Sequence, residues 1–206
     1  MWRWRGGTQR ARAASVGGVS FPSRIVIVHG YQAHPAAHWF PWLAAQAAER
    51  GGRVEVVALP DADHPTRAGW DAAVADAIGE PDAGTWVIGH SLGSITALRW
   101  AAALPAGSHV GGVLLVAGFG ERLHTIPELD EYLAESFTAG DAARVQQVAG
   151  TVRAIHSDDD AIVPPPYSER IAALLGVEPL VVPGGGHFLD REGWLEHPEV
   201  LAALHG

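Results

Sequence analysis

The stretch from Thr85 to Trp100, T-W-V-I-G-H-S-L-G-S-I-T-A-L-R-W, constrains the fold more than any other part of the chain. Thr85 to Ile88 are β-branched or aromatic and too few for a helix, so they read as a buried strand that stops at Gly89. From Leu92 to Ala103 the apolar residues Ile95, Leu98 and Ala102 recur at helical spacing, with no proline until Pro105. Between strand and helix lies Gly89-His90-Ser91-Leu92-Gly93, which fits G-x-S-x-G. In a nucleophile elbow the serine sits on a sharp, strained turn, and the flanking side chains must be nearly absent for the backbone to close. The hydroxyl is then held at the tip of the turn. The helix N-terminus behind it offers unpaired N–H groups to a developing negative charge.

The rest of the chain repeats this strand-then-helix order. Arg24-Ile-Val-Ile-Val-His29 is an almost unbroken β-branched run and reads as a strand buried on both faces. A glycine follows at position 30. It lets the backbone turn over the sheet edge, where a second oxyanion donor must come from, so the backbone N–H of Tyr31 is nominated beside that of Leu92. His38-Trp-Phe-Pro-Trp-Leu leads into a helix reaching about Arg50, with Pro41 tolerable in its first turn. Further strands are expected at Val54 to Ala58, Val113 to Val116, Thr151 to Ile155 and Leu180 to Val182, and a helix at Trp70 to Ile78. That alternation predicts a mostly parallel six-stranded sheet with helices on both faces. Catalytic groups then belong on loops at the C-terminal edge of the strands. Between the fourth and fifth strands, Phe119 to Phe137 interleaves Leu123, Ile126, Leu129, Leu133 and Phe137 with acids. It reads as one amphipathic helical segment near the site, a minimal cap.

Two of those loops hold what a serine nucleophile requires. A hydroxyl is a poor nucleophile near neutral pH and needs a base such as histidine, which in turn needs a carboxylate to fix its tautomer. After the fifth strand comes His156-Ser-Asp-Asp-Asp-Ala-Ile-Val-Pro164, and after the sixth Pro183-Gly-Gly-Gly-His-Phe188. Ser91, an aspartate at 158 to 160, and His187 therefore appear in the order serine, acid, histidine.

Composition removes other chemistries. The chain has 206 residues, 48% of them hydrophobic, enough for one substantial core and most simply one domain, residues 21–206. There is no cysteine, hence no disulfide or thiol chemistry. There is no asparagine, hence no N-glycosylation sequon. No run of about 18 apolar residues is free of charges and turn signals, which argues against a membrane span. Arg3, Arg5, Arg10 and Arg12 stand in a segment read as a disordered tail, residues 1–20; without those four charges the net −9 becomes −13. So acidic a body argues against nucleic-acid binding. His34 and His38, four apart, and Asp61-x-Asp63-His64 show ligand-like spacing but no dense ligand cluster, so neither a metal nor another cofactor is expected. His90, inside the elbow, is read as packing or substrate lining, and His38 as an anchor of the first helix.

The segments H-G-Y-Q, H-W-F-P-W-L, G-H-S-L-G, D-D-A-I-V-P and G-G-H-F-L-D-R-E-G, in that order from about Arg24 to the C-terminus, resemble a known family. They are similar to the small serine hydrolases of the YdeN and retinoblastoma-binding-protein-nine type, within the α/β-hydrolase superfamily. The resemblance implies a short α/β-hydrolase core without an N-terminal hairpin, a compact cap and a Ser91-Asp160-His187 triad. It selects Asp160 because the family acid precedes a short apolar pair and proline. Position 161 is Ala where relatives often have Pro, which keeps Asp159 as the rival. The expected activity is cytoplasmic hydrolysis of a small-molecule acyl substrate, a short or medium ester. The alternative is a hydrolase-fold protein that mainly binds a partner, although the Leu-x-Cys-x-Glu ligand of retinoblastoma-type pockets cannot occur without cysteine.

Overall fold

The computed structural model describes residues 21–205. The tail expected over residues 1–20 lies outside them. Six strands, β1 (Arg24–Val28), β2 (Arg53–Val56), β3 (Thr85–His90), β4 (Gly112–Val116), β5 (Val152–Ser157) and β6 (Leu180–Val182), form one sheet in the order β2-β1-β3-β4-β5-β6. Every neighbouring pair is parallel. The helices are α1 (Phe40–Glu49), α2 (Arg67–Ile78), α3 (Leu92–Ala103), α4 (Ala139–Val148), α5 (Pro165–Leu174) and α6 (Pro198–Ala203).

Strand alternation divides the core into two layers. Val26, Val28, Val87, Val113 and Leu115 face α2 to α5, where Trp70, Ile95, Leu98, Val145 and Ile171 meet them. Ile25, Ile27, Trp86, Ile88, Leu114 and Val116 face the other way, onto Phe40 and Leu43 of α1 and Val200 of α6. Both faces are thus covered, which is why β1, β3 and β4 read as continuous apolar runs. Strand order reverses between β1 and β3, so the loops after these two strands leave the sheet on either side of a crevice, the usual place for a ligand in such sheets.

The expected helix over Phe119 to Phe137 does not form. Its only regular piece is a 3-10 turn at Pro127–Leu129, with turns on either side. The apolar spacing nevertheless marks the buried residues correctly: Leu123, Leu129, Leu133 and Phe137 all pack into the α2–α5 layer. Pro127 starts the 3-10 turn, and proline deprives a helix interior of a donor and clashes with the preceding turn. Tertiary burial therefore holds an irregular strap where periodicity alone predicted a helix. Regular helix resumes at α4, opened by a reciprocal pair in which the Thr138 side chain accepts from the Asp141 backbone and the Asp141 side chain from that of Thr138.

Candidate active site

Ser91 lies in the turn between β3 and α3 with φ 55° and ψ −125°, a conformation strained for a residue with a Cβ. The turn closes because its flanks are glycine. A Cβ on Gly89 would collide with the Ser94 backbone, and one on Gly93 with the carbonyl oxygen of Val28. The Ser91 N–H is held by Val116 O at 2.9 Å, and the Ser94 N–H returns to Ser91 O at 2.9 Å. The side chain is thereby committed to one direction while remaining slightly open to solvent, at 6% exposure. It makes no capping bond to α3.

In that direction stands His187, from the loop after β6. Its Nε2 is 2.9 Å from Ser91 Oγ and its Nδ1 is 2.6 Å from Asp160 Oδ2. Asp160, in the loop after β5, is buried, and its other oxygen accepts the N–H groups of Ile162 and Val163 at 2.8 Å each. A carboxylate so occupied accepts rather than donates, so the bridging proton resides on Nδ1 and Nε2 is left free to accept from the hydroxyl.

The other two aspartates of the run hold the histidine loop. Asp158 Oδ1 accepts the Gly184 N–H at 2.8 Å, and Asp159 Oδ1 accepts the Gly186 N–H at 2.8 Å as well as the Ser157 hydroxyl. Those bonds keep the Asp159 carboxyl well ionised, below its ordinary value, led by the Ser157 hydroxyl. Asp160 alone of the three bonds the His187 ring.

Three further residues brace the site. Glu192 Oε2 accepts the backbone N–H of His187 at 2.9 Å and that of Leu189 at 3.1 Å. His90 donates from Nε2 to the His187 carbonyl at 3.0 Å. Burial first, then the rings of His187 and His38, hold His90 far below the ordinary histidine range, so its ring is neutral. His38 packs edge-on against His90 at 5.4 Å, and its Nδ1 accepts the Asp190 N–H at 3.2 Å. Burial lowers the His38 pKa too, against an opposing pull from Asp190. It thus links the start of α1 to the turn beyond His187, a stronger tie to the site than its position before α1 implied.

Gly30 brings the loop after β1 against the serine, since a Cβ there would lie 2.8 Å from Ser91 Cβ. Among the described residues the Tyr31 N–H donates to no backbone or side-chain acceptor, and Leu92 N–H, at the first position of α3, has none within its helix. Of the six described non-glycine residues with positive φ, Gln32, His38 and Ser91 stand on the segments after β1 and β3, Ala117 and Phe188 on those after β4 and β6, and Asp61 on that after β2. Such strain concentrates where a fold holds groups in place for a task.

A cavity of about 280 Å³ opens over Ser91 and His187. Its wall includes Gly30, Tyr31, Gln32 and His38 on one side, and Thr125, Ile126, Ala161 and Ile162 on the other, with Leu189 and Arg191 completing it. The strap and the loop after β5 are tied by the Thr125 hydroxyl, which donates to Ile162 O at 2.6 Å. Glu192, Thr125 and Arg191 were not legible as site residues, because their contacts depend on loops meeting in space. Arg191 and Glu192 left a trace, both standing in the G-G-H-F-L-D-R-E-G segment. Among the described residues no group of three or more potential ligands is placed to hold a metal, and no helix is long and apolar enough to cross a membrane.

A parallel sheet of this order, carrying a serine on its elbow after β3 and a histidine after its last strand, is an α/β-hydrolase fold. The chain belongs to the serine hydrolase family, whose model matches residues 25–206. It is 32% identical over 181 residues to the hydrolase YdeN of Bacillus subtilis, spanning 88% of this chain and 94% of that one. The crystal structure of the Bacillus subtilis ydeN gene product superposes with a TM-score of 0.82, at 31% identity over 88% of this chain and 98% of that one. Est1E from Butyrivibrio proteoclasticus, 18% identical over 90% of this chain and 86% of its own, matches at a TM-score of 0.63, a likeness of fold.

Proposed function

We propose that the protein hydrolyses small or medium carboxylic esters through an acyl-enzyme formed on Ser91. The observation that carries this reading is the unbroken line of hydrogen bonds from Ser91 Oγ to His187 Nε2 at 2.9 Å and from His187 Nδ1 to Asp160 at 2.6 Å, at the floor of an open cavity. As Ser91 Oγ bonds to the ester carbonyl carbon, its proton passes to His187 Nε2. Asp160 stabilises the resulting imidazolium and holds the ring in place. The N–H groups of Leu92 and Tyr31 receive the carbonyl oxygen as it becomes negative. Collapse breaks the bond to the leaving alkoxide, which departs as the alcohol with the proton from His187. Water then repeats the attack: His187 takes its proton, the acyl bond to Ser91 breaks, and the acid leaves as the proton returns to Oγ.

The cavity volume favours a short or medium acyl chain, since the strap at residues 119–137 forms one wall rather than a separate cap domain. A cytoplasmic location and a small-molecule partner belong to the same proposal. The test is labelling by a fluorophosphonate probe together with turnover of a p-nitrophenyl ester series. Wild type is expected to react in both, and Ser91→Ala in neither, with an unchanged circular dichroism spectrum. Labelling that persists in the variant refutes the assignment.

A further inference from the structure

The wall of the cavity over Ser91 contains no aspartate or glutamate, and its single permanently charged member is Arg191. An exposed arginine ordinarily solvates the surface or neutralises a nearby acid. Arg191 has acids on both sides in the chain, yet both are engaged elsewhere. Asp190 Oδ1 accepts the backbone N–H of Arg191 at 2.7 Å and lies 3.5 Å from His38 Nδ1. Glu192 Oε2 accepts the N–H groups of His187 and Leu189. Among the described residues no carboxylate lies within 4.0 Å of the Arg191 guanidinium. Its backbone belongs to the 3-10 turn Asp190–Glu192, which Glu192 ties to His187, so the stem of the arginine is anchored four positions after the base while its side chain reaches the cavity wall.

A planar guanidinium with unused donors is the side chain best matched to a carboxylate. In a chain of net charge −9, which repels anions at long range, such a group beside the reactive serine is a local exception. We propose that Arg191 determines specificity by receiving a carboxylate carried on the substrate away from its reacting carbonyl. The preferred substrates are then short esters bearing a terminal carboxylate, their methylenes lying along Ile126, Ala161 and Ile162. This inference rests on the hydrolase reading above and names its substrate class.

Two esters matched in length separate the charge from the chain: p-nitrophenyl valerate and the mono-p-nitrophenyl ester of glutaric acid. The quantity read is the ratio of their kcat/KM values, charged over neutral, in wild type and three variants. A charge-assisted contact at a partly open rim predicts a ratio about fivefold or more lower in Arg191→Gln. It is expected lower still in Arg191→Glu and largely kept in Arg191→Lys, and the wild-type ratio falls as salt rises from about 0.01 to 1 M. A merely structural role for Arg191 changes both esters together and leaves the ratio alone. A ratio that is the same in wild type and Arg191→Gln overturns the proposal. Wild type that neither labels at Ser91 nor turns over valerate overturns the hydrolase reading, and this proposal with it.

Discussion

Glu192 holds the backbone of His187, its Oε2 accepting the His187 N–H at 2.9 Å, while the ring of the same histidine points at Ser91. The carboxylate also takes the Leu189 N–H, so one side chain closes the loop on both sides of Phe188, whose φ is 59°. A loop of three glycines, Gly184 to Gly186, precedes the histidine, and such a loop does not hold a ring in place unaided. Glu192→Ala leaves two amides without their acceptor, which costs about 1–3 kcal/mol of stability where they are buried. The expected kinetic result is a fall in kcat of about tenfold or more with KM changed less, and partial recovery in Glu192→Gln, which keeps an acceptor oxygen. Equal losses in the Ala and Gln variants would argue that charge rather than positioning is what matters.

The aspartate run gives a second prediction, because its members do different things. Asp160→Asn keeps the shape but offers His187 Nδ1 an amide, which reverses the tautomer preference; about 10³–10⁴ in kcat is expected to be lost. Asp159→Asn weakens the hold on Ser157 and Gly186 without touching the ring, so about tenfold or less is expected. Both are read by ester turnover at saturating substrate. A deeper loss in the Asp159 variant would reverse the two roles.

How far the amino-acid order foretold this arrangement depends on burial. β1, β3 and β4 are buried on both faces, and their β-branched runs announce it within a residue or two of their observed ends. The elbow was legible because sterics demand glycine at position 89 against the turn's own backbone and at position 93 against the end of β1. The strap at 119–137 misled because helical spacing reports which residues face the core, and a folded-over irregular segment meets that condition as well as a helix does. Helix α4 is not among the elements expected from the sequence, although Thr138 and Asp141 stand at capping-box spacing. The bracing by Glu192 and the wall position of Arg191 arise from contacts among loops, for which no local periodicity exists.

A third prediction concerns acid. His197 is fully buried among Trp39, Phe188 and Trp194, and burial lowers its pKa from the ordinary 6.5 to about 4, against the opposing pull of Glu199. Between about pH 6.5 and 4 the unfolded chain therefore binds a proton that the native state refuses. Stability is complete above the unfolded value and declines as pH falls through that window, by about 3 kcal/mol at most from this residue. His29, His38 and His90 are lowered in the same sense and steepen the decline. Urea unfolding at pH 7.5, 6 and 5 is expected to show a shallower dependence in His197→Phe than in wild type. Parallel curves would remove His197 from the account.

The last prediction separates collision from conformation at two glycines in helices. Gly93 lies in the first turn of α3, where the backbone suits alanine, yet a Cβ there would overlap the Val28 carbonyl oxygen and lie 2.6 Å from that of His29. The Val28 oxygen has little room to retreat, because Val28 ends β1 in register with Gly89 of β3 and the residues before it pair with both β2 and β3. Gly93→Ala must therefore push α3 off the sheet and carry Ser91 with it, and a loss of more than about 3 kcal/mol is expected, as for overpacking against rigid backbone. Gly140, in the first turn of α4, has nothing closer to such a Cβ than Thr138 Oγ1 at 3.6 Å. There the entropy of the unfolded chain decides, and Gly140→Ala is expected to stabilise by about 0.4–1 kcal/mol. Urea midpoints of the two variants, measured beside wild type, should move in opposite directions; a Gly93→Ala midpoint at or above that of wild type would mean that the elbow has room it is not seen to have.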